Sequence, residues 1–320
     1  MKSEFGLIEQ LRGRSATSKI GDDCAVVPKD AKTDLVLTTD LLVEDVDFRR
    51  NWMIPEFLGH KALAVSLSDV AAMGAPPVWA MLSIGIPEKI WKTDFVEKFY
   101  EGWFALAEKF DVELIGGDVS KTPDKIVIDS IAAGEVKKGK AILRSGAKAG
   151  DLIYVTGEIG GAAAGLKLLE NGELFGKSNH KNALLRQLQP NPQIEIGQLI
   201  GQKNLATAMI DLSDGLSSDL THLCRESGVG AKIYADRIPF DKKLNSRTQN
   251  FDEQLHFALS GGEDFELLFT IDPKKKFQIE KALKTQYFSL IGETTANVEM
   301  IELIAGEKRL ILEPKGFQHF

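Results

Sequence analysis

Seven aspartates stand out by their neighbours. Asp22 and Asp23 follow Gly21, Asp40 follows Thr38 and Thr39, and Asp69 follows Ser68 inside an apolar run. Asp118 follows Gly116 and Gly117, while Asp211 and Asp214 flank Leu212 and Ser213 ahead of Gly215. Singly, each fits a turn or a cap, and Gly-Asp-Asp is ordinary Asx-turn chemistry. Brought together, they would repel one another and hold their protons more tightly unless cations sat among them. Oxygen ligands with no His or Cys beside them select magnesium, calcium or manganese over zinc. Several such ions point to phosphoryl transfer, in which metals and cationic side chains neutralise the migrating group. Arg144 and Lys121 are the candidate cations. His60, His180, His222, His256 and His319 lie outside the acid motifs, so the motifs offer no general base. A phosphate acceptor, with a second pKa of ~6, is already largely ionised at neutral pH and does not need one.

The elements that must carry these acids follow from periodicity. Asp34 to Asp40 reads as a strand whose far end delivers Thr38, Thr39 and Asp40. Gly59 to Pro77 reads as a helix apolar nearly all round, hence buried, with Asp69 in it. Such a carboxylate costs several kcal/mol unless met by a cation or donors. The competing reading has Ser68 and Asp69 break the run and cap a second short helix at Val70. A strand over about 78–86, an amphipathic helix over about 92–110 and a strand from Val112 into a paired-glycine turn at Gly116-Gly117 follow, with Asp118 at the tip. Strand 125–134 precedes a basic connector, 137–151. The second half begins with strand 152–156 and helix 162–170, whose Gly160-Gly161 reads as packing rather than a dinucleotide fingerprint. Gly172 to Ser178 mimics a Walker A loop but is one residue short and follows a helix, so it is rejected. Strand 207–210 delivers Asp211 and Asp214 to the start of helix 216–227. Ser260-Gly261-Gly262-Glu263-Asp264 then precedes strand 265–270.

A chain of 320 residues suits two domains, placed at 1–138 and 139–320. Its 43% hydrophobic and 27% charged residues are those of a soluble protein, and no apolar run approaches the ~20 residues that cross a bilayer. Residues 1–10 show no apolar leader core, and two cysteines, Cys24 and Cys224, make no disulfide framework, so the expected compartment is the cytoplasm. A net charge of −7 argues against a nucleic-acid partner.

Taken in order, Gly21-Asp22-Asp23-Cys24, Thr38-Thr39-Asp40, the run from Leu67 to Ala75, Ile115-Gly116-Gly117-Asp118, Arg144-Ser145-Gly146-Ala147, Asp211-Leu212-Ser213-Asp214-Gly215 and Leu259 to Asp264 resemble the thiamine-monophosphate kinase family of the aminoimidazole-ribonucleotide-synthetase-like superfamily. The resemblance covers essentially the whole chain. It implies an α/β (α+β) architecture: an N-terminal mixed-sheet domain that pairs across a homodimer, a C-terminal α/β domain, and a nucleotide site between them. It also implies ATP-dependent phosphorylation of thiamine monophosphate. Asp23, Thr38, Thr39, Asp40, Asp69, Asp118, Asp211 and Asp214 would hold several Mg2+ ions, with Asp22 assisting. Asp69, Asp118 and Arg144 would carry the catalysis, and Gly117, Asp118, Arg144, Ser213 and Tyr100 would contact ATP.

Glu263 and Phe317 fall at the family's substrate positions, where an acid and an aromatic face suit a cationic thiazolium with an aminopyrimidine. Asp47 departs from the pattern, standing where many members have a substrate-contacting His. It would meet the aminopyrimidine or a metal-bound water but repel a bare phosphate. The alternatives are another superfamily activity, such as aminoimidazole ribonucleotide synthesis, and a non-catalytic Mg-ATP sensor. The superfamily's selenium and hydrogenase-maturation branches are disfavoured by the lack of a reactive N-terminal or C-terminal Cys.

Overall fold

The computed structural model describes residues 4–12, 14, 16–17, 19–241, 250–284, 287–298 and 300–316. The first part of the chain runs α1 (Glu4–Arg12), β1 (Ala25–Pro28), β2 (Thr33–Val43), α2 (Pro55–Ala72), β3 (Pro77–Pro87), α3 (Glu88–Trp91), α4 (Phe95–Phe110), β4 (Glu113–Thr122) and β5 (Val127–Lys137). Its five strands form one mixed sheet in the order β1-β2-β5-β3-β4, with only β3 and β4 parallel. The second part runs β6 (Leu152–Thr156), α5 (Gly161–Glu170), α6 (Lys181–Leu188), α7 (Ile194–Gln202), β7 (Ala208–Asp211), α8 (Leu216–Ser227), β8 (Gly230–Tyr234), α9 (Phe251–Ser260), β9 (Leu267–Ile271), α10 (Lys276–Ala282), β10 (Phe288–Thr295), β11 (Ile301–Ala305) and β12 (Lys308–Ile311). These strands form a second mixed sheet, β12-β11-β8-β10-β6-β9-β7.

Between the two sheets lies α2. Pro55, whose missing N–H is no loss in a first turn, opens it. Fourteen of its 18 residues are buried, which is why its apolar residues show no stripe. The main core joins Leu63 and Leu67 of α2 to Phe99 and Trp103 of α4 and to Met209 and Phe269 of the second sheet. The crossing of α2 with α4 depends on glycine. A Cβ at Gly59 would stand 1.8 Å from the Phe99 carbonyl oxygen, and one at Gly102 would stand 1.8 Å from that of Glu56. A second core, including Val155, Ile210, Leu220 and Ile233, lies beneath α8.

One alternative falls and two sequence expectations are corrected. The α2 backbone runs unbroken through Asp69, whose carbonyl accepts from the Met73 N–H at 3.2 Å, so no second helix is capped there. The 92–110 helix starts instead at Phe95, because the Thr93 hydroxyl accepts the Phe95 N–H at 3.3 Å and turns the chain. Gly116 and Gly117 lie inside β4, not in a turn. Gly117 is there for close approach, since a Cβ would come within 1.9 Å of the Leu82 carbonyl oxygen on β3.

Candidate active site

The position of α2 between the sheets explains how the acids meet. Ser66 faces the first sheet and donates to Asp40 Oδ2 on β2 at 2.7 Å. Ser68, rotated ~200° around the helix, faces the second sheet and donates to Asp211 Oδ2 at the end of β7 at 2.6 Å. Asp69 lies between them and accepts from the Thr38 hydroxyl of β2. The loop before β1 adds Asp23, and one carboxylate oxygen from each of Asp23, Asp69 and Asp211 lies within 4.8 Å of the others. Arg144, on the segment joining the two sheets, donates to Asp23 Oδ1 from Nε at 3.0 Å and from an Nη at 2.5 Å. Its backbone N–H reaches Asp22 Oδ1 at 2.9 Å. Asp23 Oδ2 is buried with no hydrogen-bond partner.

One arginine cannot balance this charge. Burial, and then the Asp23 charge, push Asp211 up to about 8 despite the Ser68 bond. Burial, followed by Asp23, lifts Asp22 to about 7, and burial, opposed by Ser66 and reinforced by Asp129, lifts Asp40 to about 6. Asp69 and Asp23 are raised as well, chiefly by burial. Burial alone would lower the Arg144 value, but the Asp23 carboxylate outweighs it and keeps the guanidinium charged. A set of buried hard oxygens whose proton affinities are all raised, with one oxygen orphaned, fits a divalent cation such as magnesium.

The other expected residues lie around this cluster. On β2, side chains alternate between faces, so Thr39 points away from Thr38 and Asp40 and donates to Asp129 of β5 at 2.7 Å. Asp118 and Gly117 are exposed on β4, the edge strand, where Asp118 is aligned through Ser83 with Asp129. Tyr100 is half-buried on α4, with its ring 5.5 Å from Phe99 and 6.0 Å from Phe104. Lys121 pairs with Glu88 at 2.6 Å. Ser213 and Asp214 line a cavity of about 560 Å³ beside Asp40 and Asp47.

Sequence reasoning missed Asp129, Asp219 and the two serines of α2. Asp219 is buried and accepts the backbone N–H groups of Asp214 and Gly215 at 3.2 and 3.0 Å, holding the turn that carries Asp214. Its position in the first turn of α8, just after Gly215, was the available signal.

Glu263 lines the same cavity with a backbone φ of +66°, and its side chain contacts Lys61 and Gln187. Asp47 accepts the N–H of Val43, at the end of β2, at 2.8 Å, a local bond that still leaves it on the cavity wall. Phe317 lies outside the described residues, although Gly316 before it lines the cavity.

Residues 21–136 match the family model described as AIR synthase related protein, N-terminal domain, and residues 148–302 match the corresponding C-terminal domain. A curated thiamine-monophosphate kinase of Buchnera aphidicola is 41% identical over 94% of this chain and 92% of its own. That of Escherichia coli K12 is 39% identical over 99% and 98%. The chain belongs to the thiamine-monophosphate kinase family. Membership makes it an enzyme, a phosphotransferase, and its two mixed sheets are the two AIR synthase-type domains of that family. A solved structure of this family, AaThiL complexed with AMPPCP and TMP, superposes with a TM-score of 0.86 at 34% identity, covering 99% of this chain and 97% of that one.

Proposed function

We propose that this enzyme transfers the γ-phosphoryl group of ATP directly to the terminal phosphate of thiamine monophosphate, giving thiamine diphosphate and ADP. The observation that carries this reading is the meeting of Asp23, Asp69 and Asp211 beside Arg144, with Asp40 and Asp214 of the same acid set on the wall of a cavity that Glu263 and Asp47 also line. Asp23, Asp40, Asp69, Asp211 and Asp214, with Thr38, would hold magnesium at that cluster, and Thr39 and Asp118, the one bonded to Asp129 and the other aligned with it on the first sheet, would hold a further ion. The ions would neutralise the phosphates and align donor with acceptor.

The chain's own residues supply the rest. Arg144, whose planar fork matches a phosphate, would exchange its Asp23 contact for the donor. Gly117, Ser213 and Tyr100 are the proposed nucleotide contacts, Asp22 would steady the Arg144 backbone, and Glu263, Asp47 and Phe317 would receive the thiamine. Thr38 and Ser68, by bonding Asp69 and Asp211, keep the carboxylates aimed at one point. A phosphate acceptor fits the absence of histidine from the described acid cluster. The domain boundary is placed at 138/139. The exposed edge strand β4, with Ile115 and Val119 half exposed, supports pairing of two copies through the N-terminal sheet, and a dimeric mass in solution is expected. Among the described residues no helix is long and apolar enough to cross a membrane.

The test is ADP release from magnesium-ATP with thiamine monophosphate, thiamine or formylglycinamidine ribonucleotide, with the thiamine product identified by mass. Thiamine diphosphate formed only from the monophosphate is expected. ADP release only with the ribonucleotide would move the assignment to aminoimidazole ribonucleotide synthesis, and nucleotide binding without turnover would make the chain a sensor.

A further inference from the structure

The loop after α9 is held in an unusual way. Glu263 and Phe265 both have left-handed backbones, φ +66° and +51°, that non-glycine residues seldom adopt. Their N–H groups bond the carbonyls of Ser213 and Leu212 at 2.8 and 2.9 Å, so the loop is pinned to the turn bearing Asp214. Next to Gln187 on α6, the Arg186 guanidinium lies 3.5 Å from both Asp264 and Glu266, which pins the loop on its other flank. Between these anchors the Glu263 side chain, 29% exposed, points into the cavity. Lys61 of α2 meets its Oε1 at 2.6 Å, and the Gln187 amide donates to its Oε2. Lys61 is 1% and Gln187 6% exposed, and the Lys61 ammonium also reaches the Gln187 carbonyl at 3.4 Å.

We propose that Lys61 and Gln187 are positioning residues for Glu263, and that the clamp they form selects a substrate end presenting a hydrogen-bond donor. Each carboxylate oxygen receives one protein donor, from Lys61 or from Gln187, and keeps spare acceptor capacity towards the cavity. The wall can therefore accept from a ligand N–H at Glu263. This rests on the proposed function, in which the exocyclic amine of the aminopyrimidine is that donor. Because Lys61 comes from the helix between the sheets and Gln187 from the second part of the chain, the selecting carboxylate is set only when both are packed.

The experiment is calorimetric titration of the wild-type enzyme, Lys61→Met, Gln187→Leu, Glu263→Gln and the Lys61→Met/Glu263→Gln double variant. The ligands are thiamine monophosphate and its analogue with an oxo group in place of the amine, and steady-state KM values are measured in parallel. Lys61→Met should weaken thiamine monophosphate binding about tenfold and lessen discrimination against the oxo analogue, with the KM for ATP changed less than about twofold. The double variant should bind within about twofold of Glu263→Gln alone, since both changes remove one interaction. Melting temperatures report folding, and Gln187→Leu, which removes no charge, carries the test if Lys61→Met does not fold. Lys61→Met and Gln187→Leu variants that bind and discriminate as the wild type does, or penalties that add in the double variant, would overturn the clamp. A wild-type enzyme that binds ATP but neither thiamine compound would instead overturn the substrate reading and the clamp with it.

Discussion

Replacing Asp211 with Asn should stabilise the metal-free protein at alkaline pH while abolishing phosphoryl transfer. Asp211 is 1% exposed, and its value rises from 3.8 to about 8 through burial and the neighbouring Asp23. Between those limits the folded state holds a proton that the unfolded chain has released, so stability falls as pH rises through that window. The Asp211 penalty is absent below about pH 4 and complete above about pH 8. At ~1.4 kcal/mol for each tenfold in proton affinity, the rise bounds it at about 6 kcal/mol. Ions of this kind relax and admit water, which leaves about 1–3 kcal/mol. In a chain of this size that is about 1.5–4.5 °C in Tm. Melting in EDTA at pH 5, 7 and 8.5 checks it. The advantage of Asp211→Asn over wild type should grow with pH, and millimolar magnesium at pH 8.5 should stabilise the wild type more than the variant. A pH-independent difference in EDTA, or a variant less stable than wild type at pH 8.5, would refute the reasoning.

Gly117→Ala would place a methyl group 1.9 Å from the Leu82 carbonyl oxygen and force β3 and β4 apart, for a loss of about 1–3 kcal/mol by urea denaturation. Arg186→Met would leave Asp241, Asp264 and Glu266 buried together without their cation, for a loss of about 3–5 kcal/mol. Glu266 already sits at about 7 through burial, so that loss should be larger at pH 8 than at pH 6, where protonation relieves it. Arg144→Lys keeps the charge but loses the fork that now meets Asp23 through two nitrogens; kcat/KM for ATP should fall about 10²-fold with Tm little changed.

Much of the site was legible because its residues are chemically out of place. An aspartate inside an apolar helix, and acids set beside Gly, Ser or Thr, are costly or pointless unless something binds them, and that anomaly survives in the linear chain. The buried helix, the strand bearing Thr38 to Asp40 and the rejection of the Walker-like loop followed from period and spacing alone. The Gly116-Gly117 pair was misread because a glycine needed for a turn and a glycine needed for a neighbouring backbone look alike in sequence. Lys61 and Gln187 were not legible at all. A lysine in a helix and a glutamine 126 residues later acquire meaning only when both meet Glu263. Asp129 reads as an ordinary strand acid until the β2–β5 register sets it beside Thr39.

By itself, then, the order of the residues determined which groups could bind hard cations and phosphates, since ligand type is a property of the side chain alone. Packing decided which of them converge. Placing α2 between two sheets turns Ser66 to one and Ser68 to the other and leaves Asp69 at their junction, while the same pleat that brings Thr38 and Asp40 to that junction turns Thr39 away. Convergence of that kind depends on long-range contacts, which local periodicity does not encode.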